Sequence, residues 1–405
     1  MTDRLAIEGG TPIRKSPMPA WPSPSEAQIA AVTDVLRTGR INYWTGEVGR
    51  SLEREYAEYL GCKHALLAAN GTLALELALR GLRIGRGDEV VVPARTFIAT
   101  ASCIVTVGAT PVVADIDPDS GNLTAATVSA ALSERTKAVV VVHLGGWPAE
   151  MDDLLALARE RGLKVVEDCA QAHGGTYRGR LLGSLGDVAC FSFCQDKIIA
   201  AGEGGLVACN DDEVAERIWS YRDHGKSYTK YHDPEFMARK ASFKWVHDSF
   251  GSNHRMAELE SAMARVGLAE LPAAHARRTE LALRLAAGLE PLRGIRAPLP
   301  PTGSEHAFYR LYAYVRPDEL AGGWGRDRVL FAIAAEGVPV QYGSCAELYR
   351  EDAMRKAGFG PDGRLPGAAL VHDTSLAFFV HPTLADTDID DVIAAVAKVM
   401  EAATS

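Results

Sequence analysis

Between His64 and Phe193, short apolar runs recur at regular distances, most of them ending in a polar cluster and several followed by a helix-like segment. Few architectures accept that pattern. Strands buried on both faces read as continuous Val, Ile and Leu rather than as strict alternation, which is the mark of a parallel sheet covered on both sides. Such runs occupy 64–69, 89–92, 111–114, 138–142, 163–166 and 187–193, with helices expected to about Leu82, after Phe97 and over 150–161. The spacing predicts a mostly parallel sheet with helices on both faces. In such sheets ligands collect beyond the carboxyl ends of the strands.

The stretch from Leu163 to Val207 carries the chemistry. Glu167, Asp168 and Gln171 sit just past one apolar run, and Ser192, Gln195, Asp196 and Lys197 close the next. A carboxylate (Asp168) and an amine (Lys197) thus stand at two strand ends. The chemistry that needs this pair is pyridoxal 5'-phosphate: a lysine forms the Schiff base and a carboxylate keeps the pyridine nitrogen protonated. Ser192 can reach the cofactor phosphate, and Gly202, Gly204 and Gly205 supply tight backbone opposite a flat ring. Taken singly, Asp168 and Lys197 also fit a solvated strand-end carboxylate and a surface lysine. Glu167 is the fallback partner for the ring.

At 405 residues the chain holds a large and a small domain. Residues 1–24 are Pro-rich and read as an arm crossing another element or subunit, 25–270 as the large domain and 271–405 as a smaller α+β domain. Ser25 is placed to cap a helix to about Thr38. GRINYWTG (39–46) reads as a loop exposing Tyr43 and Trp44, before a helix to Leu60. Helices are expected over 212–223, 254–267, 272–289, 326–336 and 388–400, and a strand over 306–315. A net charge of -9 argues against a nucleic-acid surface, which needs clustered Lys and Arg. No apolar run reaches the roughly 18 residues of a membrane helix, and no basic-then-apolar leader opens the chain. The seven cysteines lack CxxC spacing and mostly sit in apolar runs, so reduced thiols, a cytoplasmic setting and no metal centre are expected.

GGTPIR (9–14), EDCAQAHG (167–174), FSFCQDKIIAAGEGG (191–205), GSNHRM (251–256) and HPTL (381–384), in that order along the chain, resemble the DegT/StrS-type sugar aminotransferases. These are pyridoxal-phosphate enzymes of fold type I, the aspartate-aminotransferase-like α/β fold. The resemblance implies catalytic roles for Lys197 and Asp168. It places Gly71 and Thr72 on the phosphate, where a helix start favours an anion, although Asn70-Gly71-Thr72 also reads as an ordinary N-cap. It sets Phe97 flat against the ring, where the residues alone favour plain core, and Gln171 beside the phenolic oxygen. Asn253 would reach the phosphate of a neighbouring subunit, which makes a homodimer with shared active sites. His173 stays outside the catalytic set, because proton shuttling in the family belongs to the lysine. Arg95 stands where the family more usually has an aromatic or small residue.

For the substrate, the charged and aromatic segment 224–250 reads either as an active-site loop or as a solvated loop at a dimer edge. As the former it offers Lys226, Tyr228, Lys230, Lys240 and Lys244 to a phosphorylated or carboxylated molecule. Tyr43 and Trp44 either pack on the core or face substrate. Arg310, where the family commonly has histidine, and Tyr342 are further substrate candidates, with Cys345 and His372 near them. The implied reaction moves an amino group from an amino acid, L-glutamate first, to the ketone of a nucleotide-linked sugar, in ping-pong fashion. A cyclitol ketone is the alternative acceptor, and a non-catalytic regulator on the same scaffold is a third reading. A dehydrating relative would carry histidine at the position of Lys197.

Overall fold

The computed structural model describes residues 4–238 and 243–405. Its first half contains β1 (His64–Ala68), β2 (Glu89–Pro93), β3 (Thr110–Ala114), β4 (Thr136–Val142) and β5 (Lys164–Asp168). A short hairpin follows, β6 (Thr176–Tyr177) and β7 (Arg180–Leu181), and then β8 (Val188–Ser192) and β9 (Gly205–Cys209). Seven of these form one sheet in the order β1-β9-β8-β5-β4-β2-β3. The pairs β2/β3, β2/β4, β4/β5 and β5/β8 are parallel. Only β9 runs against its neighbours, β8 and β1. The sheet is therefore the mostly parallel α/β sheet the apolar runs predict.

Its strands are buried on both faces. Val91, Val139, Val141 and Val165 enter one core, while Val90, Val92, Val140 and Val166 enter the other. Each fully buried Val removes enough apolar area to stabilise the fold by about 1.5–3 kcal/mol before entropy is counted. The expected strand ends shift in one instructive place. β5 continues through Glu167 and Asp168, both buried, because hydrogen bonds satisfy carboxylates that composition alone would put outside.

The second half contains β10 (Ile295–Arg296), β11 (Ser304–Glu305, paired with β6), β12 (Arg310–Val315), β13 (Val340–Gln341) and β14 (Ser375–Phe379). Four of them make an antiparallel sheet, β10-β12-β14-β13. The expected strand 306–315 starts only at Arg310, because Phe308 turns the chain at φ 49° and donates its N–H to His306 Nδ1. This sheet has its own core with the final helix, Asp386–Ala403.

One helix, Glu258–Leu289, joins the halves, where two helices broken near Pro272 were expected. A proline removes its own N–H from the ladder and crowds the carbonyl four residues back, a cost of about 3 kcal/mol that packing can offset. Leu271 on one side and Leu281, Leu285 and Leu289 on the other are pinned in the two cores, so the helix runs through. The expected domain boundary at 270 falls inside it. Its first part packs on helices Glu26–Thr38 and Val48–Leu60, and the helix also packs on Asp386–Ala403. Ser25 caps Glu26–Thr38 through a reciprocal bond with Gln28.

The described part of the N-terminal arm crosses the second half of its own chain. Leu5 enters that half's core, Glu336 accepts the N–H groups of Ala6 and Ile13, and Arg14 pairs with Asp388 and Asp391, each at 2.8 Å. The segment 224–250 contains two single-turn helices, Tyr228–His232 and Pro234–Ala238, and Lys240 lies outside the described residues. Among the described residues no helix is long and apolar enough to cross a membrane.

Candidate active site

The carboxyl ends of β5 and β8 open, with the second sheet as far wall, onto a cleft of about 840 Å³. It brings together Gly71, Thr72, Phe97, Asp168, Gln171, Ser192, Lys197 and Arg310, residues that the chain separates by up to 239 positions.

Asp168 ends β5. Its Oδ2 accepts a hydrogen bond from Thr100 Oγ1 at 3.0 Å and its Oδ1 from the Ala170 N–H at 3.2 Å. Burial pushes its carboxyl pKa up, against the pull of those bonds and of the Lys197 charge. A carboxylate so enclosed gains most from a cation placed against it. Glu167, one residue earlier, points to the opposite face. There it accepts from His143 Nε2 and from the Gly183, Leu185 and Gly186 N–H groups. Burial works to raise its pKa, but these bonds hold it below the usual value. Glu167 is thus saturated away from the cleft and is no partner for a ring in it. Cys169 lies within ligating distance of Glu167 and His143, but His143 spends its second nitrogen on the Ala149 N–H, which makes the trio a structural brace.

Lys197 follows β8 in a loop fixed at both ends. Its N–H donates to Cys194 O at 3.0 Å, and its carbonyl accepts from Trp21 Nε1 at 3.1 Å. Its Nζ lies 3.5 Å from Asp196 Oδ1 and 4.8 Å from the centre of the Tyr309 ring. The loop returns through Gly204 at φ 139°, a conformation that glycine alone adopts easily.

Opposite, the helix Gly71–Gly81 starts at the end of β1, with Asn70 as cap accepting the Leu73 N–H at 2.9 Å. The N–H groups of Gly71 and Thr72 belong to its open first turn. A Cβ at Gly71 would sit 2.8 Å from Ser192 Cβ, and one at Gly205 2.4 Å from Asn70 O. The turn, Ser192 and β9 therefore close into a cradle that side chains would fill. Ser192 Oγ accepts from the Cys194 N–H at 3.3 Å and keeps its own proton to donate. Gln171 Oε1 is held by the Gly145 N–H at 2.6 Å, so its amide NH₂ is the free donor. Phe97, 67% exposed, offers its ring to the cleft instead of the core.

This donor set fits pyridoxal phosphate: main-chain and hydroxyl donors for a dianion, a buried carboxylate for the ring nitrogen, an amine for the aldehyde and an aromatic face for the ring. His173 lies behind the cleft. Its Nε2 bonds Ser192 O at 2.9 Å and its Nδ1 bonds the Tyr56 hydroxyl at 2.7 Å. Burial brings its pKa down to about 4.

The remaining substrate candidates scatter. Tyr43, expected exposed, is only 4% exposed, its hydroxyl donating to Glu53 at 2.8 Å and accepting from the buried Arg222 at 3.1 Å. Tyr43, Trp44 and Tyr228 border a separate surface hollow with Trp219. Lys226 pairs with Asp223 at 3.2 Å and lies over the Trp44 ring, and Lys230 pairs with Asp248. Tyr342 lies outside the cleft beneath Arg326. His372 lies 3.6 Å from Glu347, while Cys345 does line the cleft. Asn253 is exposed and pairs in an isolated bridge with Asp223, away from its own chain's cleft. Arg95 is fully buried, its guanidinium 4.1 Å from the Tyr312 ring and donating to the Tyr314 hydroxyl, so it braces the far wall.

Sequence reasoning missed Thr100, Trp21 and Tyr309. Tyr309 alone had a local signal, standing beside Arg310 in the aromatic run YRLY.

The DegT/DnrJ/EryC1/StrS aminotransferase family model matches residues 22–397. Over 99% of this chain and 98% of the relative, the sequence is 36% identical to an L-glutamine:2-deoxy-scyllo-inosose aminotransferase of Streptoalloteichus tenebrarius. A UDP-N-acetyl-3-dehydro-alpha-D-glucosamine 3-aminotransferase of Acidithiobacillus ferrooxidans is 40% identical over 77% of this chain and 80% of its own. Among solved structures, an aminotransferase from Psychrobacter cryohalolentis superposes with a TM-score of 0.91 at 42% identity, covering 96% of this chain and all of that one.

Proposed function

The chain belongs to the DegT/DnrJ/EryC1/StrS aminotransferase family, and on that premise we propose that it transfers an amino group from an amino acid of the glutamate class to the ring ketone of a nucleotide-linked sugar. It is an aminotransferase, and the family implies pyridoxal phosphate. The observation that carries the reading is the convergence of Lys197 and Asp168 with the Gly71–Ser192 cradle in one cleft.

When bound, pyridoxal phosphate supplies an electron-withdrawing ring whose aldehyde carbon carries the amino group between the two substrates. The chain supplies the rest. Gly71, Thr72 and Ser192 donate to the phosphate and fix the ring's position. Asp168, held by Thr100, keeps a proton on the ring nitrogen. Phe97 covers one ring face and excludes water there. Gln171 donates its amide proton toward the phenolic oxygen. Lys197 Nζ, once released, takes a proton from the donor's Cα and returns one to the acceptor. Asn253 serves the phosphate of the partner subunit in a homodimer, in a cytoplasmic enzyme with an arm (1–24), a large domain (25–270) and a small domain (271–405).

The neutralisation of Lys226 by Asp223 and of Lys230 by Asp248 favours a second reading. Those are two of the cations that the 224–250 segment offers to a phosphorylated molecule, and both are paired. With their charges paired, an uncharged cyclitol ketone needs no displaced ion pair. The test offers the pyridoxamine-phosphate form UDP-linked 3-keto and 4-keto sugars and 2-deoxy-scyllo-inosose, and follows the return of the cofactor's long-wavelength absorbance. A sugar nucleotide that saturates at micromolar concentration supports the first reading, and response to the cyclitol alone establishes the second.

A further inference from the structure

Resting on that reading, we propose that Arg310 recognises the carboxylate of the amino donor, and that Asp196 is the internal carboxylate with which the donor competes. Every α-amino donor carries an anion one carbon from the reacting nitrogen, and drawing it out of water requires a fixed opposite charge. Among the residues lining the cleft, the cationic side chains are Lys197 and Arg310. Lys197 is committed to the cofactor. Arg310 is what remains.

Its guanidinium is held flat. The Tyr309 ring lies 4.2 Å away and the Phe379 ring 4.4 Å, while Nη1 donates to Tyr309 O at 2.9 Å. The side chain is 11% exposed. A planar cation lying over two aromatic rings loses little further freedom when its N–H groups meet a carboxylate.

The position of Asp196 shows what that edge can grip. Its Oδ2 lies 3.5 Å from Arg310 Nη2 and accepts the Tyr309 hydroxyl, and its Oδ1 lies 3.5 Å from Lys197 Nζ. One carboxylate therefore already spans the reactive amine and the guanidinium. The donor's carboxylate, tied to a nitrogen that must arrive where Lys197 Nζ stands, has to meet the same guanidinium. The Asp196–Arg310 contact is longer than the roughly 2.7–2.9 Å of a tight charge-assisted bond, and the Asp196 side chain is half-exposed. It is a contact that a better-placed carboxylate displaces.

The test separates the two half-reactions of the holoenzyme. In Arg310→Gln, the concentration of L-glutamate giving half-maximal conversion of the cofactor rises about 100-fold, the loss expected for a charge-assisted pair. The limiting rate and the acceptor half-reaction fall by much less than the donor's half-saturation rises, and Arg310→Lys recovers part of the loss. Calorimetry with glutarate, which has no amine and cannot react, gives a second readout. Its binding weakens at least about 30-fold in Arg310→Gln and strengthens severalfold in Asp196→Asn, where the internal competitor is neutral. Equal losses in both half-reactions, unchanged glutarate binding in Arg310→Gln, or weaker glutarate binding in Asp196→Asn each overturn the proposal. If Arg310→Gln does not hold cofactor, the same comparisons on Arg310→Lys decide it. Failure of every keto sugar and cyclitol would overturn the acceptor reading alone, since the donor half-reaction still reports on Arg310.

Discussion

The indole N–H of Trp21 donates to the backbone carbonyl of Lys197 at 3.1 Å, so the N-terminal arm ends on the lysine proposed to carry the cofactor. Trp21 is held by stacking on His381 at 5.9 Å and beneath the Arg278 guanidinium at 4.8 Å. The arm thus ties the second half of the chain to the loop after β8. Trp21→Phe keeps the stacking and removes the donor. It is expected to weaken cofactor affinity about 3- to 10-fold, the worth of one neutral hydrogen bond, with little change in Tm. Fluorescence titration of the cofactor-free protein measures this, and an unchanged affinity would show that the bond does not position Lys197.

Lys197 is expected to carry the cofactor. Borohydride reduction followed by peptide mapping should find the pyridoxyl group on Lys197, and Lys197→Ala should lose at least about a thousandfold in turnover. The label on any other lysine sinks the assignment.

Asp168→Asn keeps the shape and the Thr100 bond while removing the charge that holds the ring proton. A fall in turnover of about 100-fold or more is expected, with Thr100→Val losing much less. The comparison reads electrostatics and not packing, since Thr100→Val disturbs the same site and leaves the carboxylate. Near wild-type turnover in Asp168→Asn would refute the role, and Glu167 could not replace it, being saturated on the far face.

How far the sequence reaches is clearest in the strands. Val90–Val92 and Val139–Val142 are buried on both faces and read as strands because nothing but a covered sheet suits such runs. Glu167 and Asp168 read as lying past a strand that includes them, since, apart from the Ala170 N–H, the donors that permit their burial come from Thr100, His143 and 183–186, distant in the sequence. Tyr43 failed for the same reason. Its turn context predicts exposure, but Arg222 and Glu53 enclose its hydroxyl. Local pattern finds elements that bury apolar area, whereas polar burial is decided by partners that only the fold assembles. The aromatic packing of Arg310 belongs to the second kind, because Phe379 reaches it by strand pairing between β12 and β14.

Burial of His173 predicts acid lability with a defined sign. Its pKa falls from about 6.5 to about 4 in the folded chain because burial penalises the charged ring. Between those values the unfolded chain takes up a proton that the folded chain refuses, so stability is lost as pH falls through that window. Each pH unit is worth about 1.4 kcal/mol, which makes the penalty on the order of 3 kcal/mol by pH 4. His381, lowered to about 4, adds to it. Urea melts at pH 7.0 and 4.5 should show a shallower pH dependence for His173→Gln than for wild type, although the variant loses stability at pH 7 with its bonds to Tyr56 and Ser192. Equal slopes would mean that His173 is not neutral in the fold.

The last expectation concerns the partner subunit. Asn253 is exposed and is not among the residues lining its own chain's cleft, so its implied contact with a cofactor phosphate requires a second copy of the chain. The surrounding segment points the same way: Phe243 is 73% exposed, Trp245 70% and Phe250 fully exposed. Large aromatics gathered on one segment are costly in water and are enriched where protein surfaces meet. A two-fold axis would give each cleft the other chain's Asn253, making two equivalent sites. Mixing an Asn253→Ala chain with a Lys197→Ala chain then rebuilds one intact site per heterodimer, because one cleft receives both a wild-type lysine and a wild-type asparagine. With free exchange, half the dimers are mixed and each has one of its two sites intact, so activity should approach about a quarter of wild type, on the symmetric-dimer geometry. Exchange is verified separately by native mass spectrometry of the mixture. Sedimentation as an active monomer, or no gain over the parents once exchange is shown, rules out the shared site.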